Sequence, residues 1–318
     1  MIGMKEISRF APGTLCILAW KLCAFIFWSV VIFQAGCHLV PFTNKRDVAQ
    51  KLELNRQGIA AFERQEYETA EKKFIEAAEQ DNFDLTARRY YAETLWARGK
   101  KEEAVGLLAE LSKIESPLDD SLAINQSLAE KLLEENQPVS ALNYAERVVQ
   151  TSPQSADGWA LRAQVCHRLG KHEEAIDDYH HALHYDPDNR AYLRSLAELE
   201  GQVGRYESSL ASWQRLERTY SGNSQPEEVL YGKAEICRRL KRYDESIRCY
   251  ERILAEHPDR SALYSLLAET YLDRNDVSSA REVTRRAEHA FPHDPAIHEL
   301  ANRIERERIA QSQENSPY

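Results

Sequence analysis

His180, His181 and His184 are the residues of this chain that come nearest to metal chemistry. His180 and His184 are four apart, so a helix would set both imidazoles on one face, where they can ligate a divalent cation. No carboxylate stands at ligand spacing on that face with a neighbouring acid to orient it. The histidines are therefore read as a solvated surface cluster. Glu173, Glu174, Asp177 and Asp178 offer paired carboxylates, but nothing nearby would raise the pKa of one for acid–base work, so they too are read as a solvated face. HExxH, GxSxG and glycine-rich phosphate loops are missing from the sequence. Its six cysteines include no CxxC pair, which removes the zinc-ribbon and thioredoxin-like signatures. Cys237 and Cys249 are expected as buried thiols, with a disulfide between paired helices as the alternative. The NxS sequon at Asn125 falls inside an expected helix and carries no weight. The residues therefore predict no enzyme, no cofactor, no metal site and no small-molecule substrate.

The elements that must position these side chains are copies of one unit, clearest at 156–189. There Trp159, Leu161, Ala163 and Cys166 belong to a first helix. Gly170 ends it, since glycine takes the left-handed conformation at a helix C-terminus without a Cβ penalty. A second helix is predicted over 172–185, and Pro187 stops it because proline cannot donate to the helical ladder. Ala163, Ala175 and Ala182 let the two helices cross closely, while Trp159, Tyr179 and Leu183 fill the space beside them. Read as a core side chain, Trp159 should cost about 3–5 kcal/mol on truncation to alanine.

This pattern resembles the tetratricopeptide repeat family: an aromatic at the fourth position, small residues at the eighth and twentieth, an aromatic at the twenty-fourth, alanine at the twenty-seventh and proline at the thirty-second. Used as a ruler, the unit marks repeats at 51–84, 85–118, 122–155, 156–189, 190–223, 227–260 and 261–294. Three-residue insertions stand at 119–121 and 224–226. Each follows or contains a serine that can cap a helix and a first-turn proline, Ser116 with Pro117 and Ser224 with Pro226. Asp294 and Pro295 open a capping helix over 295–311, with Ile297, Leu300 and Ile304 on its apolar stripe and Arg303, Arg306 and Arg308 facing outward. Residues 312–318 are expected as a disordered tail. The fold class expected is all-α, a right-handed α-solenoid with a C-terminal capping helix.

The resemblance implies a concave surface lined mainly by first helices, at positions two, five, nine, twelve and thirteen. Those positions hold Arg89, Glu93 and Trp96; Gln126, Glu130 and Leu133; Gln164, His167 and Arg168; Arg194 and Glu198; Tyr231, Glu235, Arg238 and Arg239; and Glu269 with Leu272. Glutamate takes the ninth position in five of the seven repeats. One reading makes this acidic ladder a track for a basic or amide-rich peptide, with Phe62, Trp96 and Tyr231 as aromatic anchors. The other has Glu93 and Glu198 pair with Arg89 and Arg194 one turn earlier, worth a few tenths of a kcal/mol each. Family members that clamp an acidic C-terminus use lysine and asparagine at such positions. The equivalents here are largely Glu, Ala and Arg, so that activity does not carry over.

A net charge of −10 disfavours nucleic acid, whose phosphates call for a basic footprint. The N-terminus has its own chemistry. Lys5, Arg9 and Lys21 precede an apolar run that ends in Ala35, Gly36 and Cys37. The segment 1–37 resembles a bacterial lipoprotein signal, which implies lipidation of Cys37; Gln34 departs from that pattern. An uncleaved signal anchor competes, because 15–33 is about long enough to span a bilayer. Either version, followed by a tether at 38–50, predicts membrane attachment with the repeats on the extracytoplasmic (periplasmic) side. The expected function is a membrane-tethered adaptor that holds a protein or peptide segment in its groove and supports assembly of an envelope complex. The alternatives are a regulatory accessory subunit of an enzyme or secretion complex, or a metal-binding protein using His180 and His184.

Overall fold

The computed structural model describes residues 45–79, 84–114, 118–220 and 225–314, and among them are fifteen helices and no strand. Fourteen form the pairs of the seven repeats. They are α1 (Lys45–Glu63) and α2 (Tyr67–Glu79), α3 (Leu85–Ala97) and α4 (Lys101–Leu111), α5 (Leu118–Glu134) and α6 (Pro138–Thr151), α7 (Ala156–Arg168) and α8 (His172–Tyr185). The series continues with α9 (Arg190–Gln202) and α10 (Tyr206–Arg218), α11 (Glu227–Arg239) and α12 (Tyr243–Glu256), α13 (Ser261–Asp273) and α14 (Val277–Ala290), and α15 (Pro295–Glu314) closes it. The fold is the all-α solenoid of helix-turn-helix repeats with a capping helix that the 34-residue spacing predicts. Two compact units are present, Met1–Tyr91 and Ala92–Tyr318.

All seven turns inside the repeats share one construction. Their fifteenth residues, Gln65, Gly99, Asn136, Gly170, Gly204, Lys241 and Asn275, have φ between 56° and 81°. The next N–H reaches back five residues to close the helix, as Lys171 does to the carbonyl of Cys166 at 2.9 Å and Arg242 to that of Cys237 at 2.8 Å. A left-handed backbone costs a side chain such as lysine about 1–2 kcal/mol. Lys241→Gly should therefore raise stability by roughly 0.5–1 kcal/mol after the extra entropy of glycine in the unfolded chain is subtracted. A rise in thermal midpoint checks this, and an unchanged or lowered midpoint counts against it.

Several helices begin on side-chain caps. Asp84 accepts from the N–H of Ala87, Ser155 from that of Gly158 and Asn189 from those of Ala191 and Tyr192. Asp276 accepts from the N–H and hydroxyl of Ser279 and the hydroxyl of Ser278, and these bonds hold its carboxyl well below the usual range. The crossing alanines are fully buried in repeat after repeat, Ala70 and Ala77 in the first unit, Ala163, Ala175 and Ala182 in the second. Gly58 serves the same purpose, because a Cβ there would stand 2.7 Å from the ring of Phe74. In α15, Ile297, Leu300 and Ile304 are buried on the core that α13 and α14 build, while Arg303, Arg306 and Arg308 are exposed.

The structure departs from the expected boundaries in three places. α1 starts at Lys45, inside the stretch read as a tether, and α15 runs to Glu314, into the stretch read as a tail. Pro226 stands outside α11 as an extended N-cap residue rather than in its first turn, so this insertion does not lengthen the helix. The insertion at 119–121 does, with Asp119 and Asp120 in the first turn of α5. Ser116, Pro117 and Ser224 lie outside the described residues. Trp159 is only partly buried, at the edge of the core, where its indole N–H donates to the Pro153 carbonyl at 2.8 Å. Its truncation should accordingly cost about 1–3 kcal/mol rather than a full core loss.

Cys166, Cys237 and Cys249 are free and buried, which replaces the disulfide alternative by separate thiols. Burial pushes Cys166 up to about 11 and Cys237 up to about 12, so neither is a thiolate at neutral pH. Among the described residues no helix is long and apolar enough to cross a membrane. The segment 1–37, with Cys37, lies outside them.

Candidate functional site

Of the clustered histidines of α8, His180 is exposed and the other two are occupied separately. His181 stacks on Trp159 with ring centroids 4.4 Å apart, and His184 meets Tyr185 edge to face at 5.0 Å. Among the described residues no group of three or more His, Cys, Asp or Glu could hold a metal ion. The neighbouring acidic stretch is not wholly solvated, contrary to expectation. Asp178 is 1% exposed, and both its oxygens accept from Arg162 of the facing helix α7, the Nε contact being 2.8 Å. Helical periodicity explains this: Asp178 is one residue from Asp177 but shares the inward face with Ala175, Tyr179 and Ala182.

The first-helix side chains predicted to line the groove are mostly engaged within the protein. Arg89 covers the ring of Tyr90 at 4.5 Å. Glu93 does not pair with Arg89; it accepts from the Ser127 hydroxyl and lies 3.4 Å from Lys131, both on α5. Trp96 is covered by Lys101 and Lys131 at 5.0 and 5.2 Å from its ring, cation–π contacts made within the protein. Gln126 donates to Glu130, whose carboxyl burial raises. His167 meets His172 with Nδ1 atoms 3.3 Å apart, and burial, then the His172 charge, lowers its proton affinity. Gln164 and Arg168 are exposed. Arg238 reaches Glu269 and Asp273 on α13 at 3.2 and 2.6 Å, and Glu269 also meets Arg303 on α15 at 3.4 Å. The acidic ladder is thus cross-linked along the repeats more than within single helices.

One stretch stays open. First helices α9, α11 and α13 border a cleft of about 1070 Å³ that contains Glu198, Tyr231, Glu235 and Arg239 from the predicted set. Arg194 stands at its rim, 4.0 Å from Glu198 as periodicity predicts and 3.3 Å from Glu228 of the next repeat. Tyr231 is 42% exposed and packs edge to face on buried Tyr250. Sequence reasoning missed Glu227, Glu228 and Arg260 here, although Glu228 occupies the second position of its repeat and was findable by the same register. It also missed Gly232, whose lack of a side chain admits the buried ring of Trp213 to the cleft floor.

Glu200 lies behind the cleft, 3% exposed and accepting from the Ser212 hydroxyl at 2.7 Å. Burial raises its carboxyl, with Ser212 and the His180 charge acting the other way. A carboxyl raised on folding makes the native state hold more protons than the unfolded chain, so stability falls as pH rises through the window between the two values. Glu200→Gln keeps the acceptor and removes the charge. Its thermal midpoint should exceed the wild-type value at pH 7 and converge with it at pH 4; a constant gap would refute the assignment.

Three family models, each described as tetratricopeptide repeat, match residues 55–119 and 194–247, residues 156–189, and residues 238–304. The chain carries tetratricopeptide repeats. A TPR repeat-containing protein of Rhizobium etli is 24% identical over 107 residues, covering 34% of this chain and 52% of the relative. The CTR9 homolog of Arabidopsis thaliana is 26% identical over 218 residues, covering 67% of this chain and 19% of that protein. The chain therefore spans about half the length of one curated relative and a fifth of the other. A tetratricopeptide repeat protein of Parabacteroides merdae superposes with a TM-score of 0.54 at 16% identity, over 80% of this chain and 98% of the other. That likeness is one of fold. Tetratricopeptide repeats are typically protein-interaction scaffolds, and the open cleft lies where such repeats expose their first helices.

Proposed function

We propose that this protein is a non-catalytic, membrane-tethered adaptor that holds a protein or peptide segment in the cleft of repeats five to seven and supports assembly of an envelope complex. The cleft carries the reading: predicted groove residues line an open cavity there, with an exposed aromatic between charged walls, which is the composition of an anchor site. Membrane attachment rests on the basic residues, apolar run and Ala35-Gly36-Cys37 of the N-terminus. Extracytoplasmic repeats follow from the same charge pattern. The test is co-purification from native membranes with mass spectrometry, comparing wild type with Tyr231→Ala and Cys37→Ser. The expected result is a protein partner lost from Tyr231→Ala and a lipidated Cys37 in the wild type. A partner retained by Tyr231→Ala would refute the cleft, and an unlipidated chain that leaves the membrane at high salt would refute the tether.

A further inference from the structure

The cleft of repeats five to seven is unbalanced in charge. Glu198, Glu227, Glu228 and Glu235 line it. Arg260 pairs with Glu227 at 2.6 Å and Arg239 with Glu235 at 3.2 Å. Arg194 is then left to serve both Glu198 at 4.0 Å and Glu228 at 3.3 Å. One guanidinium faces two carboxylates, so one negative charge is unmatched. Burial raises the Glu198 carboxyl, Arg194 opposes this, and the nearby Glu228 adds to it. A second cation would relieve both desolvation and repulsion.

The apolar half of the site points the same way. Tyr231 is one helical turn from both Glu228 and Glu235, so its exposed ring shares a face with the two carboxylates. Against that ring lies Tyr250, wholly buried, whose hydroxyl has no hydrogen-bond partner and feels the charges of Glu235 and Arg238. A buried hydroxyl left unbonded is costly, so the support beneath Tyr231 is not fully satisfied within the chain.

Resting on the peptide-groove reading above, we propose that the cleft takes an extended segment carrying an arginine, whose guanidinium lies over Tyr231 and bridges Glu198 and Glu228. The planar fork of arginine matches carboxylates bidentately and stacks on aromatic faces, which an ammonium does not. Arg194 already shows that Glu198 and Glu228 stand close enough for one guanidinium to serve both.

The test is a phage library of random dodecapeptides panned against the purified full chain. Synthetic copies of the leading peptide are then measured by fluorescence anisotropy with arginine kept or changed to citrulline or lysine. The enriched peptides should share one arginine. Citrulline, which keeps the shape and loses the charge, should weaken binding about tenfold or more, and lysine should weaken it less. A Glu198→Gln/Glu228→Gln variant, checked for folding by circular dichroism, should bind the arginine and citrulline peptides alike. If selected peptides lose binding to Tyr231→Ala yet tolerate citrulline, or accept lysine as well as arginine, the inference falls and the groove reading stands. If nothing is enriched, or the peptides bind Tyr231→Ala and the double variant as tightly as wild type, both fall.

Discussion

Arg162→Ala should lower the stability of the second unit by about 3–5 kcal/mol in urea denaturation, the range for stranding one partner of a buried ion pair. Asp178 is 1% exposed, and Arg162 donates to both of its oxygens. Without the guanidinium the carboxylate would stay charged in the core or be protonated at neutral pH, and either costs free energy. The arginine also lies 4.7 Å over the ring of Trp159, so its loss loosens the edge of that core as well. The paired change Arg162→Met/Asp178→Leu separates charge from packing. It should recover most of the loss, since well-packed apolar residues often replace a buried pair at little cost. A single variant losing less than about 1 kcal/mol would mean that water reaches Asp178. Contacts in a solenoid run between neighbours, so the transition should broaden before the chain unfolds completely.

Trp213→Ala should cost about 3–5 kcal/mol, as a large aromatic leaving a core. Trp213 is 4% exposed and packs into the core cluster of repeats four to six. Its ring occupies the space that a side chain at position 232 would need: a Cβ there would fall inside the indole. Gly232→Ala should therefore destabilise by about 1–3 kcal/mol through overpacking. The two effects must be non-additive, because the alanine methyl finds room once the indole is gone. In the Trp213→Ala background, Gly232→Ala should be close to neutral in the same urea titration. Equal penalties in both backgrounds would show that the helices α10 and α11 do not approach through this pair. Because Trp213 forms part of the cleft floor, its loss should also weaken any segment bound there, whereas Arg162→Ala, in repeat four, should leave binding unchanged in the folded protein.

The repeat was legible because its determinants are local and recur. Alanines at crossings, large residues beside them and the turn at position fifteen are each set by neighbours in sequence or by the copy 34 residues away. The turn did not depend on glycine as strictly as its type suggests: Gln65 and Lys241 adopt the same left-handed backbone, held by the helix-closing hydrogen bond. Ser155, Asn189 and Asp294 cap for the same local reason, an oxygen placed two or three residues ahead of a free N–H.

The amino-acid sequence by itself determined the helices, their pairing and the list of first-helix positions, since period and side-chain size suffice for those. Tertiary structure alone decided which of those positions remain open. Glu93 turned from Arg89 to Ser127 and Lys131, Trp96 was covered by two lysines, and Arg238 was taken by Glu269 and Asp273. Each of these choices depends on the offset between successive repeats, a distance that no single repeat encodes. Glu198 stayed open because Arg194 is shared with Glu228 of the next repeat, Glu235 keeps Arg239 of its own helix, Tyr231 remains exposed, and the glycine at 232 admits Trp213 to the cleft floor.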